Sequence, residues 1–277
     1  MATHRDDGAI RDRVLTGIAR NRQPGFHFIG NFLGLSFDER SKRRARISIP
    51  HGPHLEEADG QANFGIVALL ADLALAASIR ARLDPATRLA TVSMHLQLTG
   101  VPLAGDLDAT GWFEGFLDGG KGRQGLARFA LNADGRKAMF GSGAFMALDP
   151  PPGVRLRAVS NPGTRKVAPA EEASLDERER QVLARADHAL AKASTHHSFI
   201  RRFLGQDPKV LKDGASWTMP LGDHVANRVG HLQGGLTVGL AATTAMAALP
   251  ETWRLSGISS WFTSPGEGEA LEARVLR

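Results

Sequence analysis

The sequence predicts an α+β protein made of one unit used twice, each copy an antiparallel sheet wrapped around a single buried helix. Three observations carry that expectation. Two helix-length stretches, "FGIVALLADLALAASI" and "GGLTVGLAATTAMAAL", are apolar nearly all round, the pattern of a helix covered on every side. Both are entered through a glycine-marked loop, "QANFG" in one and "HLQGG" in the other. Behind the first stands a run of longer strand-like segments separated by turn residues, a meander suited to packing on the helix it follows.

The elements repeat in order. Each copy begins with an amphipathic helical pattern, "AIRDRVLTGIARNR" and "SLDERERQVLARADHALAKA". After each central helix comes a proline-containing loop, "RLDPATRL" or "LPETWRL", and then a strand-like run, "ATVSMHLQLTG" or "SGISSWFTS". Pro, Gly and an acid follow in both, as "VPLAGDLDATG" and "SPGEGEALEAR". Such agreement in order is the mark of a duplicated unit. In the first copy the strands go on through "GDLDATGWFEGFL", "RQGLARFALNA" and "KAMFGSGAFMAL", with turns at "DGGKG" and "ADG".

The Pro-rich, polar stretch between the copies reads as a linker, which divides the chain into 1–150, 151–174 and 175–277. The first copy continues for more than forty residues after its "GDL", whereas the second stops nine residues after Gly268. Either the natural chain runs on past residue 277, or the second sheet lacks its last strands and leaves an edge open. In the second case the open edge invites pairing with another chain, which makes a homo-oligomer through sheet edges possible.

Composition narrows the chemistry. Hydrophobic residues make up 42% of the chain, enough for a sizeable core, and cysteine is absent. Disulfides, thiolate catalysis and cysteine-based zinc sites are thereby excluded, and a reducing cytoplasm is the expected setting. The start, "MATHRDDGAIRDR", has no apolar core of a signal peptide. The longest apolar run is too short for a membrane span and carries Asp72 in its middle. A net charge of +5 and a pI near 10.1 favour anionic partners. Nucleic acid is not expected among them, because no interleaved aromatic platform accompanies the charge.

Helix order, "NRVGHLQGG" before the second helix, "LLAD" in the first and "TVSM…P…GDLDATG" after it together resemble the hot-dog thioesterase superfamily, in particular its PaaI-like branch in tandem form. The resemblance covers most of the chain. It implies a His-Gly-Gly loop at the start of the central helix, whose glycine N–H polarises a thioester carbonyl. It also implies an Asp or Glu nine residues after the His as base or nucleophile, with acid and glycine of one site coming from opposite halves. No metal or cofactor is implied. The substrate would be an acyl-CoA or acyl-carrier thioester.

Carried onto this sequence, the pattern is asymmetric. Asp72 holds the acid position in the first copy, while Ala242 stands there in the second. The second copy keeps Asn227 upstream and both glycines, Gly234 and Gly235, with Gln233 in place of the His. The first copy reads Asn63-Phe64-Gly65, so its first glycine is gone. Thr91 stands where the family often has a water-positioning Ser or Thr. One composite site is expected, with Asp72 and Thr91 facing Asn227, Gln233 and Gly234. Gly235 and Met94 are expected to contact substrate.

The physical chemistry of these residue types agrees. An acid alone in an apolar helix needs a partner, a raised pKa or a task. A helix-terminal N–H suits the charge that develops on a thioester oxygen during hydrolysis. Spacing leaves open whether the acid attacks directly or activates water. Thr91 could equally be an ordinary strand residue, and the glycines could serve close packing alone.

Other features are read as structural. "RSKRRAR" (Arg40 to Arg46) could hold the phosphates of coenzyme A or nucleic acid, but a solvated strand face is the stronger expectation, and "HGPH" and "THHSF" are expected to hold surface histidines rather than a metal. Leu96, Trp112, Phe113 and Phe116, like Met94, could line an acyl pocket, though most are expected in the core. An acyl-CoA thioesterase is the expected function. A non-catalytic binder of the same ligands is the alternative, since Gln233 replaces the His. A hot-dog hydratase is less favoured, because Asp223 and His231 are too far apart in sequence for its acid–base pair.

Overall fold

The computed structural model describes residues 7–23, 27–119, 122–150, 152–153, 167–194, 198–205 and 207–277. Most of the predicted linker, and His196 and His197 of "THHSF", lie outside the described residues.

The architecture is α+β, two hot-dog units in tandem. The first runs α1 (Asp7–Asn21), α2 (Phe28–Leu33), β1 (Ser36–Arg40), β2 (Arg44–Ile49) and the central helix α3 (Phe64–Arg80). It continues with β3 (Arg88–Leu98), β4 (Leu107–Gly119), β5 (Gly122–Ala133) and β6 (Arg136–Leu148). The second has α4 (Glu177–Lys192), α5 (Phe199–Leu204), β7 (Lys209–Leu211), β8 (Gly214–Pro220), the central helix α6 (Gly234–Ala247), β9 (Gly257–Trp261) and β10 (Ala270–Leu276).

The amphipathic helices form where the apolar spacing places them. In α1 the buried residues Ile10, Val14, Leu15 and Ile18 make one stripe. In α4, Asp176 and Glu179 close a capping box before the buried stripe Val182, Leu183, Ala186 and Leu190. The "ADG" turn joins β5 to β6 with Asp134 and Gly135 both at positive φ, 49° and 74°, as a tight hairpin requires.

The duplication reaches the level of single hydrogen bonds. Arg13 Nε donates to Phe32 O in the first unit, and Arg185 Nε to Phe203 O in the second. The loop before α3 carries the bridge Glu56–Ala62, and the loop before α6 carries Ala226–Leu232 at matching positions. Both short helices, α2 and α5, end on a left-handed glycine, Gly34 and Gly205. His54 and His224 correspond as well. Each is buried edge-on to a phenylalanine, Phe32 or Phe203, and burial pushes both imidazoles down to about 3. The surface position expected for "HGPH" therefore holds only for its first histidine: His51 is partly exposed and paired with Glu56.

The sheets show how the halves are joined. One sheet has the order β1-β2-β4-β5-β6-β3-β9, and the other β10-β8-β7. Thus β9 of the second unit adds antiparallel to β3 of the first, with Ser93 opposite Trp261 and Gln97 opposite Gly257. The three strands β7, β8 and β10 repeat the neighbour order of β1, β2 and β4. Among the described residues nothing in the second unit corresponds to β5 and β6, so β9 and β10 both end as edge strands.

The two central helices pack on each other as well as on their sheets. Glycines permit the approach. A Cβ on Gly235 would overlap the backbone of Leu69, and one on Gly239 would overlap the backbone of Gly65. These two contacts are related by the same duplication, since Gly235 matches Gly65 and Gly239 matches Leu69. Among the described residues, no helix is long and apolar enough to cross a membrane.

Candidate active site

The helix crossing brings Asp72, in the middle of α3, against the first turn of α6. Asp72 Oδ2 accepts a hydrogen bond from the Gly235 N–H at 3.1 Å. Its other oxygen, Oδ1, accepts from Thr91 Oγ1, also at 3.1 Å. Thr91 reaches it because β3 runs directly after α3 and lies on it. Both partners favour the charged carboxylate, yet burial outweighs them and pushes the acid up to about 6.

The two helix starts differ in who caps them. At α3, Asn63 turns its own Oδ1 onto the Gly65 N–H at 2.9 Å, and its amide donates to Glu57. At α6 the corresponding Gln233 makes no cap bond with its side chain; Asp72 of the other unit accepts from Gly235 instead. Gln233 is buried, with Nε2 directed at Ala226 O at 3.5 Å. As first residue of α6, Gly234 has an N–H that no helical carbonyl accepts. A Cβ there would stand 2.6 Å from Thr91 Oγ1 and 3.2 Å from Asp72 Oδ2, so the missing side chain keeps this corner open.

Asp72, Thr91, Asn227, Gln233 and Gly234 all line one cavity of about 470 Å³. The structure thus brings together the five residues expected to carry the chemistry. Asn227 supports the loop, accepting at Oδ1 from the N–H groups of Val229 (2.9 Å) and His231 (3.1 Å). Gly235 sits behind the cavity at the helix crossing, so its contact is with Asp72 and α3 and not with the lining. Met94 corrects the expectation for the pocket: it is fully buried in the core and does not line the cavity. It stands beyond the register shift between Thr91 and Ser93, in the part of β3 that pairs with β9. Such an irregularity re-aims the side chains that follow it, and Met94 is packed into the core.

The apolar wall comes instead from Leu73, Ala76 and Ala77 of α3, Leu89 of β3, and Phe145 and Leu148 of β6. Leu96, Trp112, Phe113 and Phe116 do not line it. Sequence reasoning also missed Arg80, Arg88 and Arg228, which stand in the wall with Arg40 of the basic stretch. Arg40 borders the cavity while staying exposed, as expected of its stretch, and Arg44 and Arg46 are exposed too, paired with Glu39 and Asp108. The hydratase-like pair does not meet. Asp223 is bonded to Arg178, while His231 contacts Arg88 at 3.0 Å and Glu267 at 3.4 Å. Among the described residues, no cluster of His, Asp or Glu has the makings of a metal site.

No family model and no curated protein matches the sequence. Solved structures similar to it include the BH2602 protein of Bacillus halodurans, determined with CoA, at 16% identity and TM-score 0.45 over 54% of this chain and 97% of that one. A thioesterase family protein of Silicibacter pomeroyi aligns at 20% identity and TM-score 0.39, over 51% of this chain and 99% of its own. A single-residue mutant of the phenylacetic acid degradation protein PaaI from Thermus thermophilus aligns at 17% identity and TM-score 0.36, over 43% of this chain and 97% of that one. Each likeness spans about half of this chain, and each is a likeness of fold.

Proposed function

We propose that the protein hydrolyses acyl thioesters, with coenzyme A or an acyl carrier as the thiol, at one composite site between the two units. The reading rests on dividing the chain into units at 1–150 and 175–277. One observation carries it: a buried carboxylate of raised pKa stands beside the open first turn of a helix from the other half.

Asp72 serves as general base. An acid pushed up to about 6 is ionised at neutral pH and still basic enough to take a proton from water. The water oxygen bonds to the thioester carbon and its proton passes to Asp72. The carbonyl oxygen, now negative, is met by the Gly234 N–H and the positive end of the α6 dipole. Collapse breaks the carbon–sulfur bond, and the thiolate leaves with the proton held by Asp72. Thr91 and the Gly235 N–H fix the carboxylate, so no reorientation is needed during the reaction.

Release of free thiol from a panel of acyl-CoAs tests the proposal. The wild type should turn over at least one of them, and Asp72→Asn should abolish that turnover. Binding of the panel without release by the wild type would make the protein a non-catalytic acyl-CoA binder.

A further inference from the structure

The wall of the cavity changes character along α3. Asp72, Ala76 and Arg80 are spaced by four and lie on one face of the helix, all lining the cavity. Eight residues of helix span about 12 Å. At one end stand Asp72, Thr91 and Gly234, and Leu73, Ala76, Ala77, Leu89, Phe145 and Leu148 give the same cavity an apolar wall. At the other end stands Arg80, and Arg40 from β1 and Arg228 from the loop before α6 line the same cavity near enough for their charges to act on it. These three come from separate segments and from both units. Asp72 is the one carboxylate among the described lining residues.

Three guanidinium groups placed this close repel one another. Burial pushes Arg80 down to about 10, with the charges of Arg228 and Arg40 adding to the effect. Arg80 also donates through Nη1 to Thr87 O at 2.8 Å, which fixes its head at the end of the helix. Arg88, a fourth arginine of the lining, contacts His231 at 3.0 Å. A cationic group gathered at the end of an apolar corridor is suited to an anion carried on an apolar chain.

We propose, resting on the thioesterase reading above, that the preferred acyl group is an aliphatic chain ending in a carboxylate. The thioester carbonyl lies at Asp72 and Gly234, the methylenes lie in the corridor, and the terminal carboxylate meets Arg80, Arg228 and Arg40. The phosphates of coenzyme A are the other source of an anion for these arginines. Reaching them would lay the pantetheine arm in the corridor. That arm carries two amides, which Leu73, Ala76, Ala77, Leu89, Phe145 and Leu148 have no side-chain groups to satisfy, so it would depend on the polar part of the lining, such as Thr237, Thr263 and Ser264. A methylene chain asks for none.

The test compares non-hydrolysable thioether analogues of acyl-CoA, matched in length and ending either in methyl or in carboxylate, across a series of lengths. Calorimetry on the wild type should show the carboxylate form binding roughly tenfold or more tighter at the best length, the scale of one charge-assisted hydrogen bond. Arg80→Gln should bring the two forms to within roughly twofold, leaving coenzyme A alone bound as before. Arg228→Gln, a change outside the helix, gives the same readout should the first variant fail to fold. Equal binding of the two forms by the wild type, or equal weakening of both forms and of coenzyme A by the variants, overturns the proposal and assigns the arginines to the phosphates. Release of thiol from the matching thioesters is measured in parallel. Preferential binding without turnover contradicts the hydrolase reading alone, and turnover without preference contradicts the carboxylate alone.

Discussion

At the scale of a residue, the proposed hydrolysis turns on Asp72. Its folded pKa is raised, so between about 3.8 and about 6 the folded chain holds a proton that the unfolded chain has released. Stability therefore falls as pH rises through that window, and the cost is fully present above about 6. Asn can replace the hydrogen bonds, with Oδ1 accepting from Gly235 and Nδ2 donating to Thr91, while the buried charge is gone. Asp72→Asn should thus be more stable than the wild type at pH 7, by an amount on the order of 2–3 kcal/mol, with the gap closing toward pH 4. In the wild type, kcat/KM should rise with pH through about 6 and then level off, as the base ionises. Equal melting curves at pH 7, together with a flat pH–rate profile, would mean that the acid is neither strained by burial nor used as a base. The isolation of Asp72 in an apolar run was legible in the sequence. Its bond to Gly235 was not, because only the helix crossing decides which glycine N–H faces it.

At the scale of the element, α3 and α6 were legible because an unbroken apolar run has no polar face to turn to solvent. The strands β3 to β6 followed from alternation and turn residues. The short helices α2 and α5 and the burial of His54 and His224 were not legible, since each depends on aromatic partners supplied by other segments. Nor was the pairing of β9 with β3, a choice of partner that local pattern does not encode. The neighbouring glycines of α6 separate packing from chemistry. Gly235→Ala sets a methyl against the Leu69 backbone and 2.5 Å from Ala68 O, where neither neighbour can yield. It should destabilise the fold by about 1–3 kcal/mol or more. Gly234→Ala meets the Thr91 hydroxyl instead, a side chain that can turn away. Its melting temperature should stay closer to that of the wild type, while turnover falls, because the methyl fills the corner through which the thioester oxygen approaches the retained N–H. If both variants lost stability alike and kept the activity of the folded fraction, Gly234 would be a packing residue only.

The whole molecule is a duplicated fold whose two copies have diverged at their facing sites. Asp72 meets the Gly234–Gly235 start of α6, and the mirror position pairs Ala242 with the Phe64–Gly65 start of α3. There the Gly65 N–H is already taken by Asn63, and Phe64 has a side chain where Gly234 has none. Ala242→Asp should therefore add no second activity. The new acid would be buried against a Gly65 N–H that Asn63 already occupies and should lower the melting temperature. A doubling of kcat per chain would show that the mirror site needs only an acid. Duplication and its asymmetry were legible from the order of motifs. The cationic end of the cavity was not, because Arg40, Arg80 and Arg228 stand far apart in sequence and meet only in the folded chain. The central claim is a single composite site, and calorimetric titration with a non-hydrolysable acyl-CoA analogue tests it most directly. One bound analogue per chain is the expected result, lost in Gly234→Phe, and two equal sites per chain would contradict the claim.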